Sequence, residues 1–547
     1  MNLKQILLFS LIFLSINSFA QNINFHQSNG MTRFQDYSEM DSINFSEDEK
    51  FVSFFSGDVV ASYPLTMIDS LTFNMPIATA EQFPSATEFK EEILNDFDHL
   101  ISFNGEDTEE IYSPSTTIVI TYNGNTASVN RTVEDVDITI DGAHVTVKST
   151  EGKVRYRLTG TTSNGSFKML ANDAVLEENK KFVLQLSDVN ITNKTGAAIN
   201  IQSGKSVYVD IRENTTNYLT DGAAYSNTAD EDQKGTFFSE GQLIIDGSGT
   251  LNITSNGGHG LCSDDYIHIR KTCGIININS AKDGINTNDH FTMLGGDVNI
   301  TAADDGLTVG KGYLSQYGGK LCINSVDNGI VADYSATDST HLDFLGGYTE
   351  INTTGAKGHA IATSGKLNIA NNVIIAKVTG SASKAITADL DINIDNAYLK
   401  LITFGSPLYD EDEADYSSSA GIRAKSSMSA TQSHISILSS GSGAKGINAV
   451  GAVTLASNQI TVVTEGDSFS DGTENVRPRA IDAGSLTISG NNILKVSSAH
   501  AAIYTEQDLT ISGGETFAFS EDSTVKSINV KGSKNHIGGL FMHSVGK

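Results

Sequence analysis

The sequence predicts an all-β protein: a right-handed parallel β-helix with three strands per coil, preceded by a small N-terminal β module. Three observations carry that expectation. A small residue followed by an aliphatic one recurs as Gly260-Leu261, Gly284-Ile285, Gly306-Leu307 and Gly329-Ile330, with steps of 24, 22 and 23 between the glycines. A second mark keeps the same beat: Gly295-Gly296-Asp297-Val298-Asn299-Ile300 matches Gly318-Gly319-Lys320-Leu321-Cys322-Ile323 and Gly346-Gly347-Tyr348-Thr349-Glu350-Ile351. The composition, with 50 Gly, 6 Pro and no Trp, favours turns and short strands. A β-propeller would need a longer repeat and more aromatic residues per blade.

Residues 1–20 read as a secretory signal peptide. Lys4 precedes an apolar run from Ile6 to Ile16, and Asn17-Ser18-Phe19-Ala20 offers small residues at the cleavage positions. The run is shorter than the ~20 residues a membrane span needs, and no Cys follows Ala20 to carry a lipid. The expected location is therefore secreted, periplasmic or cell-surface, with cleavage after about Ala20. Residues 21–75 hold two copies of one pattern. Both end in Asp-Ser-apolar-X-Phe, as Asp41-Ser42-Ile43-Asn44-Phe45 and Asp69-Ser70-Leu71-Thr72-Phe73. The unit resembles a small module common on secreted proteins of Bacteroidetes and is expected to be structural or anchoring. Residues 76–114 form an acidic bridge in which Phe89, Ile93, Phe97 and Leu100 recur at helical spacing, predicting one amphipathic helix that links or plugs the solenoid.

From residue 115 to 547 the strand signal is nearly continuous. The mark series runs on through Ala360-Ile361, Ala385-Ile386, Gly421-Ile422, Gly446-Ile447, Ala480-Ile481 and Ala502-Ile503. Its longer steps carry insertions, one acidic at 409–415 and one at 465–472. A further acidic stretch lies between Asp221 and Asp232. The cysteines, Cys262, Cys273 and Cys322, are odd in number and sit near apolar strand residues, so they read as buried free thiols, with a Cys262–Cys273 bridge as the alternative.

The chain carries 65 acidic against 36 basic residues, a net charge of −29. That argues against a phosphate-backbone partner, and so against nucleic acid, because such binding needs surplus Lys and Arg. It suits divalent cations. Stacking places equivalent residues of successive coils about 4.8 Å apart. The column before the mark then reads His259, Asp283, Asp305, Asn328, His359, Lys384, Ala420, Lys445, Arg479 and Ala501. Behind the mark run Glu240, Asp264 and Asn288, with Asp265 and Asp289 alongside. Stacked carboxylates repel, and a bound cation with a preference for oxygen ligands relieves them. Calcium sites are therefore expected near Asp264, Asp265, Asp283, Asp289 and Asp305; ordinary turn chemistry is the competing explanation. Further along, the column turns basic. Lys384, Lys445 and Arg479, with Arg423 close by, suit the repeating carboxylates of a uronate polymer. The alternative is that they pair with the acidic insertions at 410–415 and 465–471.

Catalytic signatures are sparse. No Gly-X-Ser-X-Gly elbow, His-Glu-X-X-His helix or paired-Cys metal site stands out. Lys282, Lys311 or His259 could serve a lyase as base, but no local pattern selects one. The stretch from Gly235 to Leu251, followed by the Gly-Leu, Asp283-Gly284-Ile285 and Asp305-Gly306-Leu307 marks, resembles a carbohydrate-binding β-helix family first described from cellulolytic clostridia. The resemblance spans roughly 110–515, with departures at Glu240-Gly241 and His259. It implies a pectate-lyase-like fold, bound calcium, and binding of cellulose or acidic plant polysaccharide without established lyase activity. The expected function is non-catalytic binding of an acidic polysaccharide such as polygalacturonate, assisted by calcium. A calcium-dependent polysaccharide lyase and a structural surface protein or adhesin are the alternatives.

Overall fold

The computed structural model describes residues 106–545, apart from 150–152, 171–180, 205, 227–230, 334–339 and 412–413, together with six strands between residues 22 and 72. The expected signal peptide and amphipathic helix fall outside the described residues. Within them the chain is all-β, and parallel strands stack as a solenoid of about 15 turns. No helix among the described residues is long and apolar enough to cross a membrane.

Each coil contributes to three sheets: through the middle coils each strand pairs with the strand three places later in the chain, a step that changes only in the first coils and where insertions or long merged strands intervene. Sheet A carries the small-aliphatic marks. Sheet B contains Ile267–Ile269, Phe291–Met293 and Tyr313–Gln316. Sheet C follows the Gly-Gly turns, as Ile275–Ser280, Asp297–Ala302 and Lys320–Ser325. The mark aliphatics form one unbroken inward column. Leu261 pairs with Ile285, which pairs with Leu307, then Ile330, Ile361, Ile386, Ile422, Ile447, Ile481, Ile503 and Ile528. These side chains are buried, and each contributes roughly 1.5–3 kcal/mol by leaving water. The small residue before each aliphatic has a steric cause. A Cβ on Gly284 or Gly306 would stand 2.2 or 2.3 Å from the Cγ2 of Ile300 or Ile323 on sheet C.

The first coil closes differently. Thr116–Asn123 and Thr126–Val129 pair antiparallel, as do Val136–Asp141 and Ala143–Ser149, before parallel stacking begins. The N-terminal edge is thus folded back on itself instead of lying open. The described end of the acidic bridge runs along the outside of sheet B. Arg270 holds it there, donating from Nε to Asp107 at 2.9 Å and from its terminal nitrogens to the Glu109 and Glu110 carbonyls. Cys262, Cys273 and Cys322 form no disulfide among the described residues; the first two are buried and Cys322 is half-buried on an outer face.

The two N-terminal copies are interleaved. Asn22–Gln27 pairs with Thr32–Asp36 of its own copy and with Ile68–Thr72 of the other. Phe51–Ser56 pairs with Asp58–Pro64 and with Ser42–Phe45. Each copy therefore has three strands, and the shared Asp-Ser-apolar-X-Phe strands exchange places.

Candidate functional site: a charged groove on sheet A

Backbone hydrogen bonds fix the column before the mark. Gly284 N–H donates to the Asp305 carbonyl, Gly306 to Asn328, Gly329 to His359 and Ala360 to Lys384, at 2.7–3.1 Å. Lys384 pairs with Ala420, Ala420 with Lys445, and Lys445 with Arg479. The row read from sequence is therefore a physical row on the outer side of sheet A.

Its acidic end gathers a carboxylate cluster. Oxygens of Asp304, Asp305 and Asp327 lie within 4.8 Å of one another. Burial pushes the Asp305 and Asp327 carboxyls above the usual range, and the neighbouring acids add to it. Asp305 accepts from both the backbone N–H and the Nδ2 of Asn328, at 2.8 and 3.0 Å. Asp283, one coil earlier, accepts from Asn286 Nδ2 at 2.8 Å, and burial raises it as well. Asp304 and Asp327 were not among the expected ligands, although Asp327 N–H bonds the Asp304 carbonyl in the same register, one residue off the chosen column.

The other expected ligands stand elsewhere. Asp264, Asp265 and Asp289 lie beyond the opposite end of the sheet A strands, and the strand Ile285–Thr287 runs between Asp283 and Asp289. The five aspartates therefore do not form one group. Asp264 is taken up by Lys234 at 2.6 Å, and Asp265 accepts from Gln242 Nε2 at 3.0 Å. Asp221 is buried and accepts from Ser255 Oγ and the Asn256 N–H, so it shapes its turn.

The basic residues also divide. Lys384 and Arg423 line a groove of about 430 Å³ that begins at Asp327 and Asn328 and also includes Lys357, His359 and Lys425. Arg423 donates to Asn448 Oδ1 at 3.2 Å and has no ion-pair partner among the described residues. Lys445 and Arg479 are consumed within the sheet. Lys445 Nζ lies 2.9 Å from Asp482, and Arg479 Nη1 donates to both Asp482 oxygens at 2.9 Å. The Arg479 guanidinium also stacks 3.5 Å above the Tyr504 ring. Their partner is thus Asp482, on the outer row behind the mark, and neither insertion supplies it.

His359 sits between the two charge regions. Burial, assisted by Lys384, Lys425 and Lys357, pushes it down to about 3, so it is neutral. Its Nδ1 accepts the Lys384 backbone N–H at 3.0 Å, which leaves the proton on Nε2. One wall of the groove comes from the first insertion, an antiparallel hairpin of Leu408–Asp410 and Asp415–Ser417. The second insertion, Phe469–Ser470 with Asn475–Val476, packs behind it through Phe469 and Tyr416.

A family model described as "Carbohydrate-binding domain-containing protein" matches residues 141–443, more than half of the chain. The chain belongs to that family. The matched span of this carbohydrate-binding domain includes the carboxylate cluster, His359, Lys384 and Arg423, and stops short of Lys445 and Arg479. A carbohydrate-binding domain-containing protein of Acetivibrio thermocellus is 31% identical over 118 residues, 21% of this chain and 39% of the relative. The match thus spans about two fifths of that relative's length. A solved structure titled as a polysaccharide lyase-like protein from C. thermocellum, in a gadolinium derivative, aligns with 24% identity and a TM-score of 0.39, covering 47% of this chain and 97% of that one.

Proposed function

We propose that the domain binds an acidic polysaccharide outside the cytoplasm, along the sheet A groove, without cleaving it. One observation carries the reading: a carboxylate cluster and the cations Lys357, Lys384, Arg423 and Lys425 meet on successive coils of one face. A uronate chain presents carboxylates at a regular interval, and the groove presents cations at strand spacing. Arg423 suits a carboxylate through its planar fork, Lys384 offers a point charge, and His359 Nε2–H suits a hydroxyl or ring oxygen.

The donor set fits calcium. Asp304, Asp305 and Asp327 offer only oxygen, with Asn328 adjacent, and no His or Cys enters the cluster. Bound there, calcium would supply positive charge at the acidic end and take glycan oxygens as further ligands. Burial and repulsion from neighbouring acids, which raise the Asp305 and Asp327 carboxyls, are the costs that a cation offsets. Affinity electrophoresis in gels containing polygalacturonate or a neutral glucan, with calcium or chelator, tests the reading. Retardation by polygalacturonate alone, strengthened by calcium and lost in Lys384→Ala/Arg423→Ala, is expected. Equal retardation by the neutral gel would overturn the preference for acid. Growth of ultraviolet absorbance from unsaturated product would establish the lyase alternative instead.

A further inference from the structure

We propose that Asp410, carried into the groove by the first inserted hairpin, occupies the place that a carboxylate of the bound glycan takes, and so sets how tightly the groove holds an anionic chain. The inference rests on the acidic-glycan reading and names one subsite of the same groove.

The hairpin has two unlike faces. Leu408 pairs with Ser417, Tyr409 with Tyr416, and Asp410 with Asp415, so alternation puts both tyrosines on one side. That side rests on the second insertion: the Tyr416 and Phe469 ring centroids are 4.9 Å apart, and Tyr416 OH donates to Asp471 at 3.0 Å. The other side meets the groove. Asp410 Oδ2 lies 3.1 Å from Lys357 Nζ, and Ser417 Oγ accepts from Lys384 Nζ at 2.6 Å. The hairpin thus places one carboxylate and one hydroxyl on two ammonium groups of the groove. Those are the two kinds of group a uronate sugar presents. The Lys357–Asp410 pair is held weakly, because Lys357 is half exposed, and water screens such pairs. A carboxylate from a polymer can therefore exchange with it. Asp410 acts as a competitor inside the protein, and the observed affinity is reduced by the fraction of molecules in which it holds the site.

The test compares wild type, Asp410→Asn, Asp410→Ala, Lys357→Ala and Lys384→Ala/Arg423→Ala in calorimetric titrations with a defined uronide tetramer. Asp410→Asn keeps the shape of the side chain and removes its charge, so it remains informative if the alanine variant loosens the hairpin. The two Asp410 variants should bind about three- to fivefold tighter, the factor that corresponds to up to ~1 kcal/mol for an exposed pair. Lys357→Ala should bind more weakly than wild type. Unchanged or weaker binding by a folded Asp410→Asn, with wild type binding and Lys384→Ala/Arg423→Ala not, would overturn the role of Asp410 and leave the acidic-glycan reading standing. No binding by folded wild type or either Asp410 variant would overturn both.

Discussion

Replace Asp482 with alanine and two cations lose their shared partner. Lys445, Arg479 and Asp482 keep only 10%, 16% and 17% of their side-chain surfaces in water. Burial pulls the Lys445 ammonium below its usual range, and Asp482 only partly offsets that. Burial also pulls the Asp482 carboxyl upward, but Lys445 and Arg479 outweigh it and hold the group low. Removing one member of a buried ion pair costs about 3–5 kcal/mol because the survivor stays buried and uncompensated. Residual exposure, and the bond from Lys445 Nζ to the Arg477 carbonyl at 2.8 Å, favour the lower end, ~3 kcal/mol. Unfolding entropy is about 2.1 cal/mol/K per residue, or ~0.9 kcal/mol/K for roughly 430 residues from Thr116 to Val545, so the melting temperature should fall by ~3 °C if the solenoid melts as one unit. It should fall several-fold further if only the last coils melt together, as repeat arrays permit. Circular dichroism melts supply the first readout and uronide titration the second. The network is structural, so binding at 20 °C should match wild type. A folded Asp482→Ala with unchanged melting, or Arg479→Ala losing affinity as fully as Lys384→Ala, would refute the assignment and return Arg479 to the ligand surface.

Three further outcomes follow from the same geometry. Calcium should raise the melting temperature of wild type but not of Asp305→Asn/Asp327→Asn, with about 2.7 kcal/mol gained at a hundredfold excess over Kd; because burial raises these carboxyls, protons compete and the gain should vanish as pH falls into the carboxylate range. Burial pushes His259, His268 and His434 down to about 4 and His359 to about 3, against 6.5 for an unperturbed histidine. The unfolded chain then takes up protons that the fold refuses, so stability should be lost as pH falls from about 6.5 towards 4, by up to ~1.4 kcal/mol per pH unit per histidine; a urea midpoint unchanged between pH 7.5 and 5 would contradict this. Gly306→Ala should cost about 1–3 kcal/mol of stability, read as a lower denaturant midpoint, since its Cβ meets Ile323 Cγ2 at 2.3 Å and the Gly329 carbonyl at 2.5 Å.

Much of the solenoid was legible because its register is written in adjacent residues. Gly284-Ile285 and Gly306-Leu307 show where an aliphatic side chain enters the core and where only a small residue clears the neighbouring sheet. The site was less legible, because charges act through space in directions a single column does not show. Of the expected aspartates only Asp305 stands in the carboxylate cluster, with Asp283 one coil before it, while Asp304 and Asp327 sit one residue off that column, where a single-column reading does not reach. Asp264 looked like a ligand until Lys234, on a loop one coil earlier, proved to hold it. Lys445 and Arg479 looked available because their partner belongs to a second outward row, in which Arg423, Asn448, Asp482 and Tyr504 pair in turn. Reading two rows together would have joined Arg479 to Asp482.

The two inserted hairpins leave the coil at the same corner, between sheet C and sheet A. The inward column passes from Ile386 to Ile422 to Ile447 to Ile481 as though neither were there. A solenoid coil touches only its neighbours, so chain added at a corner is not felt by the ladders above and below. That corner is therefore a place where length and composition can drift while the scaffold stays under constraint. Successive insertions can compose a binding wall piece by piece, each tried without wagering the fold. Recognition in such a protein can change faster than architecture, and two chains with the same coils can come to hold different ligands.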